Sequence, residues 1–291
     1  MTEHAQVQQI DVKHLGIAAE VAYEINNLSA VPYEGWCDKA AEMIATKAPE
    51  AVVCVTIGQF AESGAMRTVY CEGTHYPDTM RSREKGASGI SKSALSSLNW
   101  WIKSDEPAVA LLRNLSKNVE WTTSASGGQW TGFGIEHMIV GLGRLPGENE
   151  RKHIAIEIGY PKDAETEPGE ACVSVVRSLM PLLCGRAGLA FNAHFNGLMV
   201  TNREVEVLES LIMGKSVKEI AEDMDRSEHT IHDHVKSLHK KLGATSRGQL
   251  IARALGHLSL RNDVRVKPGL RPSVAENRAK PVDQASVAMN G

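Results

Sequence analysis

The sequence predicts two folded domains of different class: an α+β N-terminal domain, in which helices flank an antiparallel sheet, and an all-α C-terminal domain of four helices. A length of 291 residues is typical of about two domains. β-branched apolar runs alternate with amphipathic segments before residue 195, whereas 196–260 carries closely spaced helix-start signals. Residues 261–291 mix Arg and Lys with Pro and small polar residues. We therefore place domains at 1–195 and 196–260, followed by a disordered basic tail at 261–291.

Composition limits the classes of protein that fit this chain. The net charge of −3 does not indicate nucleic-acid binding by itself, but residues 236–258 contain five Lys or Arg and no acidic residue. The five cysteines form no C-x-x-C pair, which suits a reduced cytoplasm. No apolar run approaches the roughly 18 to 20 residues of a membrane span. We expect a soluble cytoplasmic protein with no metal, no cofactor and no membrane partner.

The first half of the α+β domain predicts two helices and two strands. Apolar residues recur at helical spacing across 11–28 and again across 34–47. The β-branched run at 51–57 is typical of a buried strand, and 67–71 predicts a second strand paired with it through a turn at Gly64. Cys54 and Cys71 then fall on neighbouring strands. Two buried apolar side chains and a redox pair are both compatible with this pattern.

The second half of the domain predicts helices, a hairpin and a long connecting helix. Helical spacing across 92–118 predicts two helices interrupted near Pro107. Residues 122–128 are rich in Ser, Thr and Gly but lack the ending of a P-loop, so they predict a flexible loop. Strands at 135–142 and 153–160 predict a hairpin. Residues 169–190, with Pro181 inside, predict a long helix that leads to the C-terminal domain.

Local signals predict the first two helices of the C-terminal domain. Thr201 with Glu204, and Ser216 with Glu219, fit the capping box, in which a hydroxyl and a carboxylate each satisfy an unpaired backbone N–H. Gly214 ends the first helix, at a position where a residue that tolerates positive φ is needed. A short turn after the second helix leads to a third.

The third helix, residues 228–242 after an N-cap at Ser227, has two different faces. One is an apolar stripe at 3.6-residue spacing, which we expect to face the core. The other carries side chains that can bond to a base edge or a phosphate. The apolar members are Ile231, Val235, Leu238 and Leu242, and the polar members are His229, His232, Asp233, Lys236 and Lys240. Short helices joined by a tight turn, with the later one polar outside, indicate a helix-turn-helix.

The fourth helix begins after Thr245 or Ser246 and carries more apolar surface than a small helical core would use. We interpret the surplus as a contact between two copies of the chain. It is formed by Leu250, Ala254 and Leu258. The alternative interpretation of the whole C-terminal domain is a helical bundle that only packs against something else.

These segments resemble the LuxR/GerE-type helix-turn-helix that is shared with the NarL/FixJ response regulators. The resemblance spans residues 201–258 and is carried by TNREVEVL at 201–208, KEIA at 218–221, KLG at 241–243 and SR at 246–247. It implies sequence-specific binding of double-stranded DNA as a homodimer, with the third helix in the major groove. Carried over by position, the base-facing residues are His232, Asp233 and Lys236, and those near phosphates are Lys218, Thr230, Lys240 and Arg247.

Two residues depart from the family pattern. Arg226 stands where an apolar residue is common. Asp233 puts a negative charge on the polar face of the third helix, which the resemblance places against the bases. There it either accepts a hydrogen bond from a cytosine amino group or repels the DNA backbone.

The order of elements in the N-terminal domain resembles a GAF or PAS-type sensory domain, which implies control by an unidentified small-molecule effector. The residue set of a phospho-receiver domain is absent, so we do not expect phosphoaspartate signalling. An acyl-homoserine-lactone receptor of the quorum-sensing type is an alternative. Its aromatic lining would come from Trp100, Trp101, Trp121 and Trp130.

Two further alternatives assign a different role to the N-terminal domain: an enzyme, or a module that binds a protein partner. No nucleophile, base and acid set stands out in residues 1–195, and neither does metal-ligand spacing. We therefore predict a protein that is not an enzyme and assign no catalytic residue.

Overall fold

A computed structural model describes residues 12–60, 66–80, 106–112, 125–146, 152–165, 168–191 and 197–256. Within these residues the chain forms eight helices and five strands. The helices are α1 (Val12–Asn27), α2 (Trp36–Ala45), α3 (Ala125–Gly132), α4 (Glu170–Ala190), α5 (Asn202–Ile212), α6 (Val217–Asp223), α7 (Glu228–Leu242) and α8 (Arg247–Ala254). The strands are β1 (Val52–Phe60), β2 (Met66–His75), β3 (Ala108–Leu112), β4 (Ile135–Arg144) and β5 (Lys152–Pro161).

The strands form one antiparallel sheet in the order β2-β1-β5-β4-β3. β1 and β5 are central and buried on both faces, which explains the continuous apolar run in β1. Gly73 of β2 lies against the backbone of α2: a Cβ atom at this position would be 2.1 Å from the backbone nitrogen of Asp38. This close approach fixes α2 directly on the sheet.

The two faces of the sheet form separate apolar cores. The larger core contains Val53, Val55 and Ile57 of β1, which pack with buried side chains of α1, α2 and α4. The smaller core contains Val52 and Cys54, together with residues of β4 and α3 such as Met138 and Trp130. The alternation along β1 follows from the two-residue side-chain period of a strand.

Glu157 of β5 is a buried carboxyl group in the middle of the sheet, 2 % exposed. Burial raises its pKa to about 8, the carboxylate of Glu72 adds to this effect, and the Trp130 side chain opposes it. Within the described part of the chain, Glu157 Oε1 has no hydrogen-bond partner. Glu157 is therefore mostly protonated in the fold at neutral pH.

Helices α5 to α8 form a third core. Its fully buried members include Val207 of α5, Ile220 of α6, Ile231 and Leu238 of α7, and Leu250 of α8. Val235 of the predicted stripe is half-buried and packs against this core. The stripe predicted for the third helix therefore faces inward, as expected.

The segment between α1 and α2, residues 28–35, contacts the core of helices α5 to α8; we call it the α1–α2 connector. Val31 is 2 % exposed and belongs to that core. Tyr33 forms a parallel bridge with Val200, where the Val200 N–H donates to the Pro32 carbonyl at 2.8 Å and the Glu34 N–H donates to the Val200 carbonyl at 3.2 Å. One end of the connector thus contacts Val200, which directly precedes helices α5 to α8; we call residues 197–256 the helical region.

α2 and α4 hold the other end of this connector. The indole N–H of Trp36 donates to the Ser29 carbonyl at 2.8 Å, and the Trp36 ring meets Phe191 edge-on at a centroid distance of 5.7 Å. The guanidinium of Arg186 in α4 donates to the Leu28 carbonyl. The connector is therefore fixed to helices on both sides.

The predicted fold class is confirmed, with two errors inside it. Residues 108–112 form β3, an edge strand paired with β4, and not part of a helix. A short apolar run fits both periodicities, and pairing with β4 decided between them. The predicted flexible loop at 122–128 is wrong from Ala125 onward, where α3 begins. The rest of the predicted helices at 92–118, and the predicted turn at Gly64, lie outside the described residues.

Cys54 and Cys71 lie on neighbouring strands but do not face each other. Cys54 pairs across the strands with Thr74, whereas Cys71 pairs with Ile57, and the two thiols lie on opposite faces. A redox pair between them is therefore wrong. Of the four tryptophans proposed as an aromatic lining, Trp130 is buried on the smaller core, and the other three lie outside the described residues.

α4 is long and apolar enough to cross a membrane by length and composition, contrary to the expectation that no such run exists. Half of its most apolar window is buried inside the protein. Val173, Leu179 and Leu183 pack into the larger core, and Pro181 and Leu182 are exposed. Packing against the sheet accounts for the buried half of this apolar surface.

Candidate nucleic-acid interface

Two capping boxes fix the helices that precede α7. The Glu204 N–H donates to Thr201 Oγ1 at 3.3 Å, and the Thr201 N–H donates to Glu204 Oε2 at 2.8 Å. The same reciprocal pair joins Ser216 and Glu219 at the start of α6. Both were predicted from local sequence. Each gives a short helix a defined first residue, because both partners satisfy backbone N–H groups at the helix start.

Glu204 has a second partner that sequence reasoning missed. Lys241 Nζ of α7 donates to Glu204 Oε2 at 2.7 Å, and the Glu204 side chain is 5 % exposed. Burial acts to raise the pKa of Glu204, but hydrogen bonds from Lys241, Ser237 and the Thr201 backbone outweigh it and leave the pKa lowered. This nearly buried ion pair ties the start of α5 to the end of α7. The contact could not be predicted from the positions of Glu204 and Lys241 in the sequence.

The outer face of α7 presents the three residues predicted to face bases. His232, Asp233 and Lys236 are all exposed, on the side opposite the buried Ile231 and Leu238. The Asp233 carboxylate lies 3.6 Å from His229 Nε2. The predicted group of polar side chains is thus brought together on one surface of one helix.

The four residues predicted to lie near phosphates differ in what they already bond. Lys240 is exposed on α7, and Lys218 is exposed on α6 with its ammonium 4.0 Å from Glu222. The Thr230 hydroxyl is 2.9 Å from that of the N-cap Ser227. Arg247 Nη2 donates to the Leu211 carbonyl at 3.3 Å and to the Lys215 carbonyl at 2.7 Å. Arg247 therefore braces the turn between α5 and α6, a role that its sequence position did not reveal.

The predicted contact between copies requires a correction. Leu250 has no exposed surface, because it packs into the core of helices α5 to α8 within a single chain. It is therefore not available to a second copy. Ala254 is half-buried, and Leu258 lies outside the described residues. Leu255, directly after the last residue of α8, is 48 % exposed.

The end of α7 is closed by a second arginine that sequence reasoning missed. Gly243 takes the left-handed conformation with φ of 61°, and the Arg253 guanidinium donates to the Leu242 carbonyl. Arg253 is thus partly used as a helix cap. Among the described residues, no group of three His, Cys, Asp or Glu side chains is arranged to hold a metal ion.

Comparison with known proteins places the helical region in a family. Residues 199–254 match the family described as bacterial regulatory proteins of the luxR family. The chain is similar to spore germination protein GerE of Bacillus subtilis, with 39 % identity over 64 residues that cover 21 % of this chain and 86 % of that protein. It is also similar to the transcriptional activator protein VanR of Vibrio anguillarum, with 38 % identity over 80 residues, 26 % of this chain and 33 % of VanR.

The chain is also similar to further proteins and to solved structures. The probable transcriptional regulator GfsR of Streptomyces halstedii is 38 % identical over 60 residues, which cover 21 % of this chain and 25 % of GfsR. The chain therefore spans a quarter to a third of GfsR and VanR. Among solved structures, SdiA of Escherichia coli aligns with 84 % of this chain and 97 % of its own, at 17 % identity and a TM-score of 0.35.

Proposed function

Because the chain belongs to the luxR family of bacterial regulatory proteins, it is a DNA-binding regulator of transcription, and we propose that it binds operator DNA as a homodimer under the control of its N-terminal domain. The observation that carries this proposal is the outer face of α7. His232, Asp233 and Lys236 are exposed there together, while the opposite face is held by an apolar core and the Glu204–Lys241 ion pair. A rigid helix with one polar, exposed face is what readout in the major groove requires.

α7 is the reading helix, and its three exposed polar residues contact base edges. Lys236 donates to guanine O6 or N7, His232 donates to or accepts from an edge, and Asp233 accepts from the cytosine amino group. Asp233 lies near His229, which lowers the repulsion between its carboxylate and the DNA backbone when His229 is protonated.

Lys218, Thr230, Lys240 and Arg247 position the protein on the phosphates. Lys240 and Lys218 supply ammonium groups, which release counterions and give affinity without sequence preference. Arg247 uses one guanidinium nitrogen on backbone carbonyls. The remaining donors of that group, and the Thr230 hydroxyl, are the ones we assign to phosphate oxygens.

Dimerisation uses Ala254 of α8 and two leucines that follow it in the sequence, the exposed Leu255 and Leu258, and gives a palindromic operator. The N-terminal domain of residues 1–195 binds an effector without converting it, so we propose a cytoplasmic regulator that is not an enzyme. The α1–α2 connector supports this control, because it contacts both the sheet region and the core of helices α5 to α8.

The test is selection of bound sequences from random double-stranded DNA by the full-length protein. We expect a palindromic motif for the wild type. Lys236→Ala should relax one position of each half-site at a cost of about 1–3 kcal/mol, because a base contact is lost. Lys240→Ala should instead weaken every sequence alike and lower the salt dependence by about one counterion.

The control is Lys39→Ala, which removes the same charge from α2, where Lys39 pairs with Glu42 outside the helical region. It should leave the motif and the affinity unchanged. Equal losses on every sequence for Lys236→Ala and Lys240→Ala would contradict the assignment of Lys236 to the bases. The absence of any motif, with or without the tail at 261–291, would contradict sequence-specific binding.

A further inference from the structure

A crevice opens on the sheet face that carries the larger core. Its walls are α1, α4 and the end of α2, and its floor is formed by β4 and β5. The volume is about 540 Å³. Pockets that bind small molecules typically have about 300–1,000 Å³ and a mostly apolar lining with a few polar groups.

The floor and the inner walls of the crevice are apolar. Ile139 and Ile158 come from β4 and β5, Val21 comes from α1, and Leu179 comes from α4. The wall formed by α4 also includes Val176, which is half-buried. An apolar molecular body placed here would be removed from water on several sides, which is favourable in proportion to the area covered.

One end of the crevice is polar. Tyr160 of β5 is half-buried, and burial, followed by the nearby Cys172 and Glu50, raises the pKa of its phenol, so the hydroxyl is neutral and can donate. Within the described part of the chain, that hydroxyl is not engaged in a hydrogen bond. Glu50 accepts from the Glu165 N–H at 3.1 Å and has further acceptor capacity. An end group that both accepts and donates fits between these side chains.

The charges at the mouth disfavour an anion. Lys47 lines the crevice, but its ammonium pairs with the carboxylate of Glu20. Glu50 and Glu165 add two more carboxylates. Even with a protonated His14, which also lines the crevice, the three carboxylates outnumber the positive groups, and a carboxylate end group would meet net repulsion.

From these contacts we propose that the crevice binds a small uncharged molecule with an apolar body and a hydroxyl or amide end group that bonds to Tyr160. The proposal deepens the proposed function, because it names the place and the chemical class of the effector.

Both walls of the crevice continue into the helical region. The C-terminal end of α1 leads into the α1–α2 connector, whose Val31 lies in the core of helices α5 to α8. Arg186 of α4 donates to the Leu28 carbonyl at the start of this connector. A molecule that changes the separation of α1 and α4 therefore acts on the segment that holds the DNA-binding helices.

Cys172 provides a reporter that needs no DNA. It lines the crevice and is half-buried, whereas the other four cysteines are buried. We would measure the rate of its alkylation by iodoacetamide in the full-length protein, with 1-octanol or octanoate as the probe. 1-Octanol should slow the alkylation in a saturable manner, and octanoate should require a higher concentration. No protection by 1-octanol, or equal protection by octanoate, would overturn the proposed ligand class.

Two variants locate the site. Tyr160→Phe should weaken protection by 1-octanol about 3- to 10-fold, because one hydrogen bond is lost. Its matched control is Tyr70→Phe, which removes a hydroxyl that bonds to Gln59 away from the crevice and should not change protection. Val176→Trp should fill the crevice and abolish protection. If Tyr160→Phe and Tyr70→Phe behaved alike, the assignment of the polar end to Tyr160 would be overturned.

The link to DNA is measured separately, as the affinity for the selected operator with and without 1-octanol. A change in the wild type that is absent in Val176→Trp supports the effector role. Saturable protection of Cys172 without any change in operator affinity would overturn that role. Protection in a protein that selects no operator would support the crevice while the proposed function failed, so the two failures are distinguishable.

Discussion

Helices α5 to α8 and the N-terminal sheet hold their shape by interactions of different range. In the helical region, the N-caps Thr201, Ser216, Ser227 and Ser246 each accept from an N–H three residues later. In the sheet, Val55 of β1 pairs with Ile156 of β5, and these two residues are far apart along the chain. The reading helix α7 is therefore specified by nearby residues, whereas the sheet depends on contacts that no short segment contains.

The buried polar groups differ in the same way. Glu204 in the helical region is nearly buried but is bonded by Lys241 and by a helix cap. Glu157 in the sheet is buried with one oxygen that has no partner among the described residues. The first carboxylate contributes stability when ionised, and the second costs stability when ionised.

The largest effect that separates the regions is expected at Glu157. Its pKa is about 8 in the fold and near the ordinary 4.5 when unfolded, so the stability of the neutral carboxyl is fully present below pH 4.5 and is lost as the pH rises through 8. Glu157→Gln cannot ionise and should be more stable than the wild type at pH 8, by roughly 2–4 kcal/mol, with little difference at pH 4.5. Thermal unfolding at both pH values measures this.

Glu72→Gln is the graded control, because the Glu72 carboxylate is only the second cause of the raised pKa. It should change stability in the same direction by less. An equal shift for Glu157→Gln at both pH values would show that burial of the charge is not the cause.

A smaller effect is expected at Glu204 of the helical region. Glu204→Gln removes the charge that pairs with Lys241 and should cost about 2 kcal/mol of the free energy of unfolding. Glu219→Gln changes the equivalent residue of the other capping box, which is exposed to solvent, and should cost clearly less. Denaturant unfolding compares them. Similar costs would mean that the contact between α5 and α7 adds nothing to the cap.

The smallest change in stability is expected for glycines of the helical region, where backbone conformation alone decides the effect of a substitution. Gly214 has φ of +89° and open space around it, so Gly214→Ala should cost about 1 kcal/mol from backbone strain alone. Gly248 lies within α8, also in open space, and Gly248→Ala should stabilise by a few tenths of a kcal/mol through helix propensity. If both variants changed the free energy of unfolding in the same direction, the positive φ would not be the reason why glycine is needed at position 214.

The candidate interface was mostly predictable because its signals repeat at helical spacing. The exposed positions of His232, Asp233 and Lys236 follow once Ile231 and Leu238 are assigned to the core. The roles of Leu250 and Arg247 did not follow. An apolar residue on a helix serves the chain's own core or a partner with the same pattern, and an arginine donates to carbonyls or to phosphates with the same side chain.

Patterns within the sequence are enough to predict the four C-terminal helices, their caps and the polar outer face of α7, because these features depend on residues three or four positions apart. Three other features could be seen only in the fold: residues 108–112 form a strand, Lys241 pairs with Glu204, and Val31 packs into the core of helices α5 to α8. Each of these depends on a partner far away in the chain. Local periodicity carries no information about which distant surface will cover a given side chain.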